Sequence, residues 1–323
     1  MLSLGSKEFM KSQGRLFGFC VSKKKGSFTM RVGFVGLGIM GNPMCKHILK
    51  AGFKLSVNAL DEKIVKEFVA LGADCGSYAD LGRDCDIVMV MVPTGAISKE
   101  VMFGENGVAS TAKPGTILVD LSSVTPIESQ ECYKLAEEKG LKFLDAPVSG
   151  GEPKAIDGTL ATMVGGDQDA FEKAKPVFDA FSGSTLLVGG SGAGSTAKLV
   201  NQIIVNNNIA IVAEAFTFAQ KAGVDPVKVY EAIRGGLAGS CCLDAKLPMM
   251  VARNFVPGGT IKVNHKDITN VLKTAHSIEC PVPYTAQLFE IMQTLKVHGH
   301  FMDDQASMVT YFESLADVQV QSK

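Results

Sequence analysis

The run Gly33-Phe34-Val35-Gly36-Leu37-Gly38-Ile39-Met40-Gly41-Asn42-Pro43 constrains the fold of this chain more than any other stretch. Gly36, Gly38 and Gly41 have the spacing G-x-G-x-x-G. They follow the short apolar run Val32–Val35 and open a helix-like run, Ile39–Ala51, that stops at Gly52. Strand, glycine loop and helix in that order form a cradle for the pyrophosphate of a dinucleotide. Gly36 allows the tight turn, Gly38 lets backbone approach phosphate, and Gly41 permits close packing of helix on sheet. Helix N-terminal N–H groups then face the anion. Gly36, Leu37, Gly38, Ile39, Met40 and Gly41 are the candidate cofactor-binding residues of this loop.

Lys54–Asn58 completes a βαβ unit, and further apolar runs follow at Asp86–Val92, Thr116–Leu121 and Lys142–Asp145. Near-continuous apolar strands alternating with helices predict a parallel sheet covered on both faces. Thr159–Val164 and Ser184–Val188 read as closing strands. Past Gly189-Gly190-Ser191-Gly192-Ala193-Gly194 the pattern turns helical, beginning with one run from Ser195 to about Lys221 whose middle is apolar on most sides. Such a helix belongs at the centre of a core. The expected fold class is α/β, a doubly wound Rossmann-type parallel sheet followed by an all-helical C-terminal domain. The expected division is a dinucleotide-binding domain over 30–190 and a helical domain over 191–323 that opens with a long interdomain helix. Residues 1–29 are basic and short of acids. They read as an upstream or non-native extension before a functional start at Met30, with a transit peptide as the alternative.

With 323 residues and a formal net charge of -1, the chain suggests no nucleic-acid surface. Its eight cysteines include no C-x-x-C pair, and no H-E-x-x-H occurs. The thiols are expected to be idle in a reducing compartment, and no metal is expected. No apolar run reads as a bilayer span, so no membrane is expected as a partner. A cytoplasmic location is the expectation.

The second strand ends Val57-Asn58-Ala59-Leu60-Asp61. An acid at this position would hold the adenine ribose hydroxyls of NAD, and an arginine would take the extra phosphate of NADP. Asn58 is the candidate cofactor contact, with Asp61 either its neighbour in that role or a solvated loop acid. With no arginine nearby, NAD(H) is favoured over NADP(H). Val92, Pro93, Thr94 and Ser123 lie at carboxyl ends of strands, the rim where ligands bind in open α/β sheets. They are candidate nicotinamide-side contacts, against a plainer reading as polar loop residues.

Successive N–H groups of Ser149, Gly150 and Gly151 can form an anion nest suited to a substrate carboxylate, rather than only a turn. Downstream, Ser195 can cap the long helix, which places Lys198 in its first turn. A cation there meets the positive end of the helix dipole, and burial also disfavours its charge. Both effects would lower its pKa toward the range in which a general acid works best. Asn201 and Gln202, three and four positions on, share its face and can orient Lys198 or the substrate. Lys198 and Asn201 are therefore the candidate catalytic residues. Lys266 reads as reaching back to the cofactor or substrate with Asp267 as its partner. His265 beside them is the one histidine in a charged cluster.

These motifs together resemble the β-hydroxyacid dehydrogenases from Met30 essentially to the C-terminus. The elements that carry the resemblance are Gly36–Gly41, Asp145–Gly151, Gly192 through Lys198 and Asn201, and Lys266-Asp267. The resemblance implies a nicotinamide cofactor and a small hydroxy-acid or semialdehyde substrate. By it Lys198 is catalytic, Ser149–Gly151 with Asn201 hold the substrate, and Lys266 lies by the cofactor. It also implies a homodimer or homotetramer built on a helical domain that serves substrate binding and oligomerisation. Glu152–Leu160 and Arg234–Ser240 are similar to the branch that reduces tartronate semialdehyde to D-glycerate. The alternatives are a 3-hydroxyisobutyrate or other short semialdehyde dehydrogenase and a non-catalytic dinucleotide-binding relative.

Overall fold

The computed structural model describes residues 30–322, so the expectations for residues 1–29 lie outside the described residues. The first half alternates strand and helix: β1 (Arg31–Val35), α1 (Gly41–Ala51), β2 (Lys54–Asn58), α2 (Glu62–Ala70), β3 (Asp74–Cys75), α3 (Tyr78–Asp84), β4 (Ile87–Val90) and α4 (Gly95–Phe103). It continues with β5 (Ile117–Asp120), α5 (Pro126–Glu138), β6 (Lys142–Asp145), β7 (Val148–Ser149), α6 (Gly151–Asp157), β8 (Leu160–Gly166), α7 (Gln168–Phe181) and β9 (Ser182–Gly189). The strands form one sheet in the order β3-β2-β1-β4-β5-β6-β8-β7, with β9 paired to β8. From β3 to β6 every pairing is parallel, whereas β8 runs antiparallel to β6 and β7. The sheet is therefore mostly parallel rather than wholly so. The two-residue strand β7 sends the chain through α6 and back as β8, and this reversal carries no run of alternating residues by which to foresee it.

Side chains on a strand alternate between faces, and the buried residues sort accordingly. Phe34, Ile87, Met89, Ile117 and Val119 meet Met44 and Ile48 of α1 and Phe178 and Phe181 of α7 on one face. Val35, Val88, Val90 and Leu118 meet Leu81 of α3 and Cys132 and Ala136 of α5 on the other. Two covered faces explain why β4 and β5 are buried at every position.

The remainder is helical: α8 (Ala193–Lys221), α9 (Pro226–Ile233), α10 (Cys241–Val251), α11 (Ile261–Ser277), α12 (Pro283–Val297) and α13 (Val309–Ala316). Their apolar faces share a separate core that includes Leu199, Ile209, Ala213, Phe216, Leu247, Ile268, Val271, Leu288 and Met292. By length and mean hydropathy alone α8 is apolar enough to cross a membrane, which no run was expected to be. One side of it packs into this core, where Gln202, Asn206 and Thr217 are buried along with its apolar residues.

Candidate functional site

The carboxyl ends of β1, β4, β5 and β6 form one rim, because these strands are parallel and in register. At β1 the chain turns at Gly36, whose φ is +99° and whose N–H donates to Asn58 O at 3.0 Å. A Cβ on Gly36 would lie 2.1 Å from Met91 O, so the turn admits no side chain. At Gly41 a Cβ would lie 2.0 Å from Gly36 O. Gly38 differs: nothing lies within 4 Å of the place its Cβ would take. Leu37 is buried in the core while Ile39 is exposed, so at Leu37 only the backbone can serve a ligand. Helix α1 begins with no side-chain cap. Open space at Gly38 before an uncapped helix start is what a dinucleotide pyrophosphate requires, and these residues fit that group.

At the end of β2, Asn58 is half-buried. Its Nδ2 donates to Gly76 O at 2.7 Å and ties β2 to the turn after β3. Asp61 caps α2, accepting from Lys63 N at 2.9 Å. Its carboxylate thus serves the helix start.

Of Val92, Pro93, Thr94 and Ser123, Pro93 and Ser123 meet Lys266 across the rim. Lys266 Nζ donates to Ser123 O at 2.9 Å and Pro93 O at 3.4 Å. Asn270 Nδ2 also donates to Ser123 O, at 3.2 Å. Val92 N donates to Ser122 Oγ at 3.0 Å, and Thr94 caps α4 through Ile97 N at 3.3 Å. Asp267 stands 3.2 Å from Lys266 Nζ and accepts from Ser123 Oγ at 2.8 Å. Helix α11 therefore grips both loops. His265 points elsewhere, bonding Gln293 Oε1 at 2.7 Å and packing against Phe289.

Lys198, Asn201 and Ser149 come together beside this group. Lys198 Nζ donates to Val148 O at 3.0 Å, and Ser149 Oγ donates to Asn201 Oδ1 at 3.4 Å. Gly150 and Gly151 follow Ser149 with φ of +135° and +67°. Two expectations about the helix require correction. It starts at Ala193, so Lys198 is its sixth residue, beyond the first turn where the dipole acts. Ser195 is not its cap: its Oγ bonds Ser129 Oγ at 2.8 Å. Burial is the main cause that lowers the Lys198 pKa below the ordinary lysine value, with the nearby Lys266 charge adding to it and Asp267 opposing it.

The cap comes from the sheet. Asp145, at the end of β6, accepts from Gly192 N at 2.9 Å and Ser195 N at 2.7 Å. Beside it in register, Asp120 accepts from Ser98 Oγ at 2.7 Å and Ser122 N at 2.9 Å. Sequence reasoning missed both roles. The signal was available, since two adjacent strands each end an apolar run with an aspartate. Burial raises the Asp120 pKa to about 6. A carboxyl whose folded pKa exceeds its unfolded value of about 3.9 favours folding below that value, and the benefit is lost as pH rises through about 6. Asp120→Asn should keep the bond from Ser122 N to Oδ1, reverse the one with Ser98 so that Nδ2 donates to its Oγ, and remove this dependence. The Tm of the variant relative to wild type should then be higher at pH 7.5 than at pH 5. An equal difference at both would show that Asp120 does not titrate in this window.

Among the described residues no three or more His, Cys, Asp or Glu side chains are grouped to hold a metal ion.

Comparison with known proteins agrees with this geometry. Residues 31–190 match the family model for the NAD binding domain of 6-phosphogluconate dehydrogenase. Residues 192–312 match that for the NAD-binding part of NADP-dependent 3-hydroxyisobutyrate dehydrogenase. The chain is 41% identical over 289 residues to 2-hydroxy-3-oxopropionate reductase of Escherichia coli, covering 89% of this chain and 99% of the relative. It is 34% identical to 2-(hydroxymethyl)glutarate dehydrogenase of Eubacterium barkeri, over 90% of this chain and 98% of that one. A crystal structure of 3-hydroxyisobutyrate dehydrogenase from Salmonella typhimurium superposes with a TM-score of 0.78 at 28% identity, covering 88% of this chain and all of that one.

Proposed function

Since this chain belongs to the 3-hydroxyisobutyrate dehydrogenase-like β-hydroxyacid dehydrogenases, oxidoreductases that use a nicotinamide dinucleotide, we propose that it reduces tartronate semialdehyde (2-hydroxy-3-oxopropionate) to D-glycerate. The observation that carries the chemistry is the Lys198 amine, its pKa lowered by burial, held beside Asn201 and Ser149 at the rim of the sheet. The choice of substrate rests on the 41% identity to the Escherichia coli reductase. On this reading residues 30–190 form the dinucleotide-binding domain, and 191–323 form the domain that supplies Lys198 and assembles the oligomer.

When bound, the dinucleotide would supply the hydride that the aldehyde carbon accepts. Gly36–Gly41 would hold its pyrophosphate with backbone N–H groups, and Val92–Thr94, Ser123 and Lys266 would hold its nicotinamide end. The N–H groups of Ser149–Gly151, with Asn201, hold the substrate carboxylate. Val148 O accepts a hydrogen bond from Lys198 Nζ, and this leaves another N–H of the amine to face the carbonyl oxygen. Lys198 gives up that proton as charge develops on the oxygen. Burial favours the transfer, because it disfavours the charged amine.

NADH is the proposed coenzyme. No arginine occurs between Asn58 and Lys66 to take a 2′-phosphate. Initial rates on tartronate, methylmalonate and succinic semialdehydes, with NADH and NADPH side by side, test both choices. The expected result is the highest kcat/KM for tartronate semialdehyde with NADH. Faster turnover of methylmalonate semialdehyde would move the assignment to 3-hydroxyisobutyrate.

A homodimer or homotetramer is also proposed. Val200, Ile204, Ile211 and Phe218 are exposed at spacings that share one face of α8, and a second copy of the chain would cover this apolar stripe. Light scattering on the purified protein should give a mass of two or four chains; a monomer would discard the proposal.

A further inference from the structure

This inference rests on the reading of Lys198 and Asn201 as the reacting end of the site. Four hydrogen bonds link residues of β7, α8, α11 and the loop after β5 into one chain. Ser149 Oγ donates to Asn201 Oδ1 at 3.4 Å, and Asn201 Nδ2 donates to Gln202 Oε1 at 2.9 Å. Gln202 Nε2 donates to Asp267 Oδ2 at 2.5 Å, and Ser123 Oγ donates to Asp267 Oδ1 at 2.8 Å. The carboxylate of Asp267, ion-paired with Lys266 at 3.2 Å, offers acceptors only.

A side-chain amide has its acceptor at one tip and its donors at the other. Asp267 therefore holds Gln202 with Nε2 toward α11 and Oε1 toward Asn201. That oxygen takes Asn201 Nδ2, which turns Asn201 Oδ1 toward Ser149. Gln202 itself is only 6% exposed. It is placed to act through its neighbour, not on a ligand.

We propose that Gln202 is a positioning residue: locked by Asp267, it sets which end of the Asn201 amide faces Ser149 and the substrate beside Lys198. The arrangement also ties substrate positioning to the cofactor side, because Asp267 is held by Ser123. A buried apolar side chain of similar size would fill the same space without imposing a direction.

The test is a double-mutant cycle with a spectroscopic readout. Gln202→Leu should lower kcat about 10²-fold, the scale of a small misplacement at a reacting centre, with NADH affinity unchanged. Gln202→Asn, one methylene short, should lose less, and it serves if the leucine variant fails to fold. Once Asn201→Ala is present, Gln202→Leu should cost little more; independent packing would instead make the two losses multiply, which would overturn the proposal. In protein with ¹⁵N-labelled side-chain amides, the Asn201 pair, identified by its loss in Asn201→Ala, should shift in Gln202→Leu and Asp267→Asn. Unmoved Asn201 resonances would also overturn it, whether or not any aldehyde is turned over. A wild-type enzyme inert toward every semialdehyde would refute the functional reading instead and leave the resonance result to decide the role of Gln202.

Discussion

Lys198→Ala is expected to lower turnover of the preferred semialdehyde about 10²–10⁴-fold, the range for removal of a positioned general acid, while NADH binds as in the wild type. The amine is tethered to Val148 O and partly buried. Its removal deletes a proton donor without touching the glycine loop. Lys198→Arg should be nearly as slow, because a guanidinium keeps its charge and does not give up its proton. The reduction needs the protonated amine, so the wild-type rate should fall as pH rises through a midpoint below the ordinary lysine value, the direction in which burial moves this group. NADH binding lost in step with turnover would make Lys198 a structural residue.

Gly36→Ala should abolish dinucleotide binding and destabilise the protein. The positive φ alone costs about 1–3 kcal/mol with a side chain present, and the added carbon would lie 2.1 Å from Met91 O. A Tm loss of about 5–10 °C follows for a domain of this size. Gly38→Ala provides the contrast, because its methyl enters open space. Its Tm should match the wild type while the Kd for NADH, measured by fluorescence titration, rises. Wild-type affinity in Gly38→Ala would mean that the pyrophosphate does not approach this backbone.

What could be read from the chain beforehand depended on how local the cause was. Strand β1, the glycine loop and α1 follow from a buried run, a turn and a helical period lying next to one another, and the structure has them in that order. The ends of α1 at Gly52 and of β2 at Asn58 were legible for the same reason. The N-terminus of α8 was not, because its cap is contributed by Asp145, far away in sequence. That hidden partner is why Ser195 was mistaken for the cap and Lys198 for a first-turn residue. The direction in which Lys198 titrates was foreseeable, and of the two causes expected burial acts while the helix start, five residues back, does not. Asp61 and Asn58 show the converse: each was read for a ligand, and each also gives one side-chain atom to a backbone group, Asp61 Oδ1 to Lys63 N and Asn58 Nδ2 to Gly76 O.

The clamp that Asp145 places on Gly192 and Ser195 also makes the start of α8 a fulcrum. At about 1.5 Å per residue the 29-residue helix is about 43 Å long. Lys198 sits only about 5 Å along the axis from Ser195. Rocking that swings the far end by about 3 Å therefore displaces the helix axis at Lys198 by less than about 0.5 Å, as a rigid rod of this pitch requires. A small swing of α8 at Lys221 thus leaves the backbone that carries Lys198 close to its place.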